Sequence, residues 1–119
     1  MYLRECRIFC YKRDLIEDIA KIIADHSAIK DWAYILHDKD CVDSHYHIYL
    51  NFGANIVDTK EVAKWFGLKD WSVERIRGSY VGYLLYFVHA FQKQKFQYSL
   101  DEVVSSFDYI KILKSVPKT

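Results

Sequence analysis

Apolar residues of the opening stretch MYLRECRIFCYK, Leu3, Cys6, Ile8 and Phe9 among them, alternate well enough to predict a strand over residues 2–11. The period then lengthens. Leu15, Ile19, Ile22 and Ile23 recur at helical spacing up to about Ala28, with Asp14 placed to cap that helix. WAYILHD and HYHIYLNF return to strand character, and the polar turn KDCVDS between them predicts a hairpin with a longer loop than the tightest turns. DTKEVAKWFG reads as a second helix, opened by a capping box of Asp58 and Glu61 and ended by Gly67. WSVERIR is a fourth strand. Ser79 heads a third helix, YVGYLLYFVHAF, and residues 93–97 form a polar loop. SLDEVVSSFDYIKILK opens with another capping box, Ser99 with Glu102, and predicts a last helix; residues 115–119 are expected to fray.

The order β-α-β-β-α-β followed by helices contains two β-α-β halves, the split pattern of ferredoxin-like and RNA-recognition-like antiparallel sheets. One α+β domain over residues 1–119 is expected, because 119 residues suffice for one sizeable core and no repeat or internal linker is visible. No apolar run is long enough to cross a bilayer, and the N-terminus lacks the shape of a cleaved signal. The three cysteines, Cys6, Cys10 and Cys41, are odd in number and lack zinc-ligand spacing, so a reduced, cytoplasmic setting is expected. A net charge of +1 neither supports nor excludes a nucleic-acid partner, although a nonspecific DNA binder usually carries more positive charge. Any phosphate chemistry therefore needs local basic groups or a metal ion.

The candidate chemistry sits on the hairpin. Side chains alternate along a strand, so His45 and His47 share one face while Tyr46, Ile48 and Leu50 take the other. Two adjacent imidazoles supply half of a typical first coordination shell. His37 and Asp40, at the end of the preceding strand, are folded back toward His45 by the hairpin and are the expected further ligands. Such a mixed set suits Mn²⁺ or Mg²⁺, and zinc also fits. A His-x-His pair alone is as easily two hydrogen-bonded side chains; four candidate ligands within eleven positions of one hairpin favour the metal. His26, near the end of the first helix, is a dipole-compatible surface residue.

A metal held by His and Asp commonly serves phosphate chemistry. The third predicted helix offers three hydroxyl nucleophiles, Tyr80, Tyr83 and Tyr86, with Tyr83, Tyr86 and His89 spaced by threes. Gly82, one turn before Tyr86, removes a side chain that would crowd approach to it. Seen alone, an aromatic stripe of this kind is more often core than catalytic.

HDKD, HYHIYL and YLLYFVH, in this order and spacing, resemble the three motifs of HUH endonucleases, and most of all the plasmid rolling-circle replication initiators. The resemblance spans roughly residues 30–110. It implies that His45 and His47 bind the metal with Asp40 and His37, that Tyr86 is the nucleophile, and that His89 is the histidine that follows it. KFQYSLDEV is similar to the K-x-x-Y region of these initiators. Phe87-Val88 replace the usual Leu-Thr, and no tyrosine pair is spaced by four, as in the single-tyrosine class. Where viral initiators place a lysine three residues after the nucleophile, this chain has His89.

The function implied is site-specific, metal-dependent nicking of single-stranded or hairpin origin DNA, with strand transfer through a 5′-phosphotyrosine. Arg75, Arg77, Lys93 and Lys95 flank the third helix as candidate phosphate contacts, and tyrosines on an open sheet face would stack unpaired bases. The resemblance leaves open which host helicase or polymerase follows the nick. Plasmid members commonly continue into an oligomerisation domain that nothing in this chain supplies, so the chain is expected to be a fragment or a minimal member. A noncatalytic RNA-recognition-like module that binds single strands is the rival, and a water-activating nuclease that needs no tyrosine is a second.

Overall fold

The computed structural model describes residues 1–39 and 43–115. Its elements are β1 (Tyr2–Leu3), β2 (Glu5–Tyr11), α1 (Ile19–Ala24), β3 (Asp31–His37), β4 (His45–Asn51), β5 (Val57–Asp58), α2 (Thr59–Phe66), β6 (Val73–Glu74), α3 (Tyr80–Tyr86), β7 (Val104–Ser105) and α4 (Tyr109–Lys114). β1 pairs with β5, and a five-stranded sheet runs in the order β6-β2-β4-β3-β7 with every pairing antiparallel. β2 and β3 are thereby parallel with β4 between them, and β4 and β6 are parallel with β2 between them. These are the two split β-α-β halves that the hydrophobic pattern predicts, in an α+β fold.

Alternation along β2 and β4 builds two cores. Cys6, Ile8, Ile48 and Leu50 face α1 and α2, where Ile19, Ile22, Val62 and Phe66 close the first core. Ala33, Ile35 and Tyr49 face the other way and are covered by Leu84, Phe87, Val88 and Tyr109 from α3, α4 and the chain after α3. The sheet is therefore sandwiched, and the open tyrosine-bearing face expected for base stacking is absent among the described residues. Tyr49 is buried, Tyr34 and Tyr46 are half-buried on the α1/α2 side, and the sheet residue left open beside the histidines is Phe9.

Several predicted boundaries shift, each for a local reason. α1 begins at Ile19 rather than after Asp14, because Ile19, Ile22 and Ile23 are the apolar set that helical spacing can bury together. Asp14 instead ends a 3₁₀ turn over Lys12–Asp14. Asp58 caps α2 by accepting from Lys60 N–H and Gly67 ends it at φ 68°, but Glu61 pairs with Lys64 rather than completing a box. WSVERIR yields only the two-residue β6 after a 3₁₀ turn over Asp70–Ser72. α3 stops at Tyr86, five residues short of prediction, because Phe87 and Val88 turn into the core and His89 reverses the chain at φ 57°. The last predicted helix divides in three. The Ser99–Glu102 box is present, but only on a 3₁₀ turn; β-branched Val103 and Val104 then favour the extended β7, and Asp108 caps the short α4. Among the described residues no helix is long and apolar enough to cross a membrane.

Candidate metal centre and nucleophile

The register of the hairpin assembles the histidines. His37 lies opposite His45 across β3 and β4, and His47 lies between Phe9 of β2 and Ile35 of β3. All three imidazoles leave the same face of the sheet, and their ligand nitrogens lie within 4.8 Å of one another. His37 is 1% exposed and donates from Nε2 to the carbonyl of Phe87 at 2.6 Å. A carbonyl can only accept, so in the neutral ring Nδ1 keeps the lone pair that a cation needs. His45 uses Nδ1 on the carbonyl of Asp43 at 3.1 Å, which leaves Nε2 for the same purpose.

His47 is held neutral. Burial lowers its pKa to about 3, reinforced by the like charges that His37, His45, His89 and Lys95 would place beside it. Neutral imidazoles are the form that binds a metal. Three convergent imidazole nitrogens fit a divalent cation, so the cluster can hold one. Asp40, the expected carboxylate ligand, lies outside the described residues.

Tyr86 closes α3 against this cluster. Its ring stands 5.4 Å from that of His47 and 5.1 Å from that of His89, and Lys95 Nζ donates to its hydroxyl oxygen at 2.9 Å. The hydroxyl is thus not walled into the core. Tyr83 shares the helix face, but its hydroxyl points inward and donates to the carbonyl of Ile48 at 3.1 Å; burial pushes its pKa far above the ordinary phenol value. Tyr80 stacks on Tyr49 with ring centres 5.8 Å apart.

His89 is not on the helix face that a spacing of three predicts. It sits in the left-handed turn, 2% exposed, donates from Nδ1 to the carbonyl of Phe96 at 2.7 Å, and places its ring 4.7 Å from His37. That reversal returns Lys95 to Tyr86 and Tyr98 to His37. Tyr98 stacks on His37, and its hydroxyl oxygen accepts the backbone N–H of Lys39 at 3.0 Å, next to the segment carrying Asp40. Lys39 pairs with Glu102. The resemblance singled out the Tyr98 stretch but gave it no contact, and local pattern cannot, since Tyr98 meets Lys39 across 59 positions.

Of the predicted phosphate contacts, Lys95 touches Tyr86 and Arg77 lines the same cleft as Tyr86. Arg75, which reaches Met1 Sδ at 3.6 Å, and Lys93 line neither of the two clefts described here. Tyr86 stands between those clefts. One, about 370 Å³, is lined by His37, His45, His89 and Lys95; the other, about 900 Å³, runs past His47 to Arg7, Phe9, Trp71 and Arg77. Sequence reasoning passed over Arg7, Phe9 and Trp71, which lie on two different elements and meet only through the β2–β6 pairing.

A family model described as plasmid replication protein, origin binding domain, matches residues 4–110. A replication protein of Onion yellows phytoplasma (strain OY-M) is 34% identical over 128 residues, a match that covers 92% of this chain and 34% of that protein. The chain thus spans about a third of the length of that relative.

Proposed function

Because the chain belongs to the family of plasmid replication protein origin-binding domains, we propose that it binds replication-origin DNA and nicks one strand there to begin rolling-circle replication. The nick is made by Tyr86 on a phosphate exposed in single-stranded or hairpin DNA. His37, His45 and His47, with Asp40, would hold Mn²⁺ or Mg²⁺. When bound, such a cation supplies polarisation of a nonbridging phosphate oxygen and neutralises charge as it builds.

The observation that most supports this reading is the phenol of Tyr86 beside His47, its ring 5.4 Å from an imidazole of the ligand cluster. In this reading the hydroxyl oxygen of Tyr86 attacks phosphorus and gives up its proton to water. The bond from phosphorus to the 3′-oxygen breaks, and that oxygen takes a proton to become a free 3′-hydroxyl. The 5′ end stays on Tyr86 as a phosphotyrosine, so two reversible transfers replace one hydrolysis. Lys95 Nζ, 2.9 Å from the attacking oxygen, offsets negative charge that develops there. The 3′-hydroxyl then primes synthesis by a host polymerase, with a host helicase opening the duplex, and the reverse transfer closes the product.

The test is incubation of the chain with origin-derived single-stranded oligonucleotides and Mn²⁺, followed by mapping of any protein–DNA adduct. The expected result is one adduct, on Tyr86, lost in Tyr86→Phe while Mn²⁺ still binds. Cleavage retained by Tyr86→Phe would point to activated water instead. DNA binding without cleavage by the unaltered chain would leave a binding module only.

A further inference from the structure

The larger cleft beside Tyr86 has walls that neither the imidazole cluster nor the phenol uses. Its volume of about 900 Å³ is near the upper end of the roughly 300–1,000 Å³ of ligand pockets, so it can take more than the scissile phosphate. Two aromatic rings open onto it. Trp71, on the 3₁₀ turn before β6, is 75% exposed, and Phe9, packed at 4.8 Å and 5.4 Å on His45 and His47, is 42% exposed. Neither ring has the covering that its size would ordinarily bring.

Cations stand among these rings. Arg7, Lys69 and Arg77 line the same cleft, against Asp14 and a Glu74 already paired with Arg7 at 2.6 Å. That pairing uses only Nη2. Arg7 Nε is buried and has no acceptor among the described residues, a donor whose lost solvation is left uncompensated until an oxygen meets it. Open aromatic faces, spare guanidinium donors and continuity with a phosphate-attacking phenol together match the chemistry of a nucleic-acid strand whose bases are unpaired.

Resting on the nicking reading above, we infer that this cleft is a subsite for unpaired DNA bases next to the scissile phosphate, with Trp71 and Phe9 as stacking platforms and Arg7 and Arg77 as backbone contacts. A duplex hides its base faces and meets only the cations. A single strand meets both. The small net charge agrees, since stacking supplies affinity that does not need a broad positive field.

The experiment is fluorescence anisotropy with a labelled oligothymidylate and a blunt duplex of equal length, in EDTA, on the full chain carrying Tyr86→Phe. Adding Trp71→Ala or Phe9→Ala is expected to weaken single-strand binding roughly 5- to 150-fold, the equivalent of about 1–3 kcal/mol per stacked base, and to leave duplex binding within about twofold. Arg7→Gln is expected to lower the salt slope for the single strand by about 0.7. Trp71 is far enough exposed that its removal does not threaten the fold, which guards against a misfolded Phe9→Ala. Unchanged single-strand affinity in Trp71→Ala, or equal losses on single strand and duplex, would overturn the subsite. Failure of the nicking reading looks different: the unaltered chain would bind the oligothymidylate with Trp71 dependence and yet form no adduct with any origin strand in Mn²⁺.

Discussion

Tyr98 lies flat on His37, ring centres 4.3 Å apart and planes within 7° of parallel. One phenol thereby fixes both the ring of a candidate ligand and, by accepting its N–H, the backbone of Lys39. Groups behind metal ligands commonly change affinity by 10- to 100-fold when removed. Tyr98→Leu is therefore expected to weaken Mn²⁺ binding about tenfold by calorimetry, and Tyr98→Phe, which keeps the ring, by less. Equal affinity in Tyr98→Leu and the unaltered chain would reduce Tyr98 to a core residue.

His47 makes the metal-free protein acid-sensitive. Its folded pKa is about 3, lowered first by burial, against 6.5 ordinarily. Below about pH 6.5 the unfolded chain takes up a proton that the folded chain refuses, so stability present above that pH is lost as the pH falls toward 3. The slope expected is up to about 1.4 kcal/mol per pH unit, less where solvent reaches the ring. Urea denaturation in EDTA at about pH 7.5 and about pH 5 measures it, and His47→Gln should flatten the dependence.

Tyr83 and Tyr86 separate structure from chemistry on one helix. Tyr83→Phe removes the hydrogen bond to Ile48 and is expected to cost roughly 1 kcal/mol of stability while adduct formation persists. Tyr86→Phe should do the reverse, with stability nearly unchanged and the adduct gone. Adducts on Tyr83 in the Tyr86→Phe chain would show that the inward hydroxyl swings out.

Gly82 is not required by the backbone. A Cβ there would meet only Ser79 Oγ, at 3.6 Å, yet Gly82 lines the larger cleft four residues before Tyr86. Gly82→Ala should raise stability by about 0.5–1 kcal/mol through helix propensity. If the glycine keeps the cleft open, the same change slows adduct formation; an unchanged rate would mean that the strand passes elsewhere.

The hairpin and its histidines were legible because a strand repeats every two residues, so the faces of His45 and His47 follow from their numbers alone. The capping signals at Asp58, Gly67 and Ser79 were legible for the same local reason. Tyr86 stood out as the candidate nucleophile only through the resemblance, since Tyr80 and Tyr83 carry the same pattern. What local pattern could not supply was long-range return of the chain. His89 leaves the helical period by taking a left-handed turn that favours glycine, and this one residue decides where Lys95 and Tyr98 land. Val103 and Val104 obeyed their own preference for extended backbone over the capping signal before them, because an unfilled edge of β3 was there to pair with. Phe9 was legible only as an apolar strand residue and Trp71 drew no reading of its own, since the exposure of both is a property of the assembled cleft.

The five-stranded sheet ends on both sides in strands of only two residues, β6 and β7. A margin that short offers a second copy of the chain too few free amides and carbonyls to extend the ladder, so runaway strand-by-strand polymerisation is discouraged at both margins.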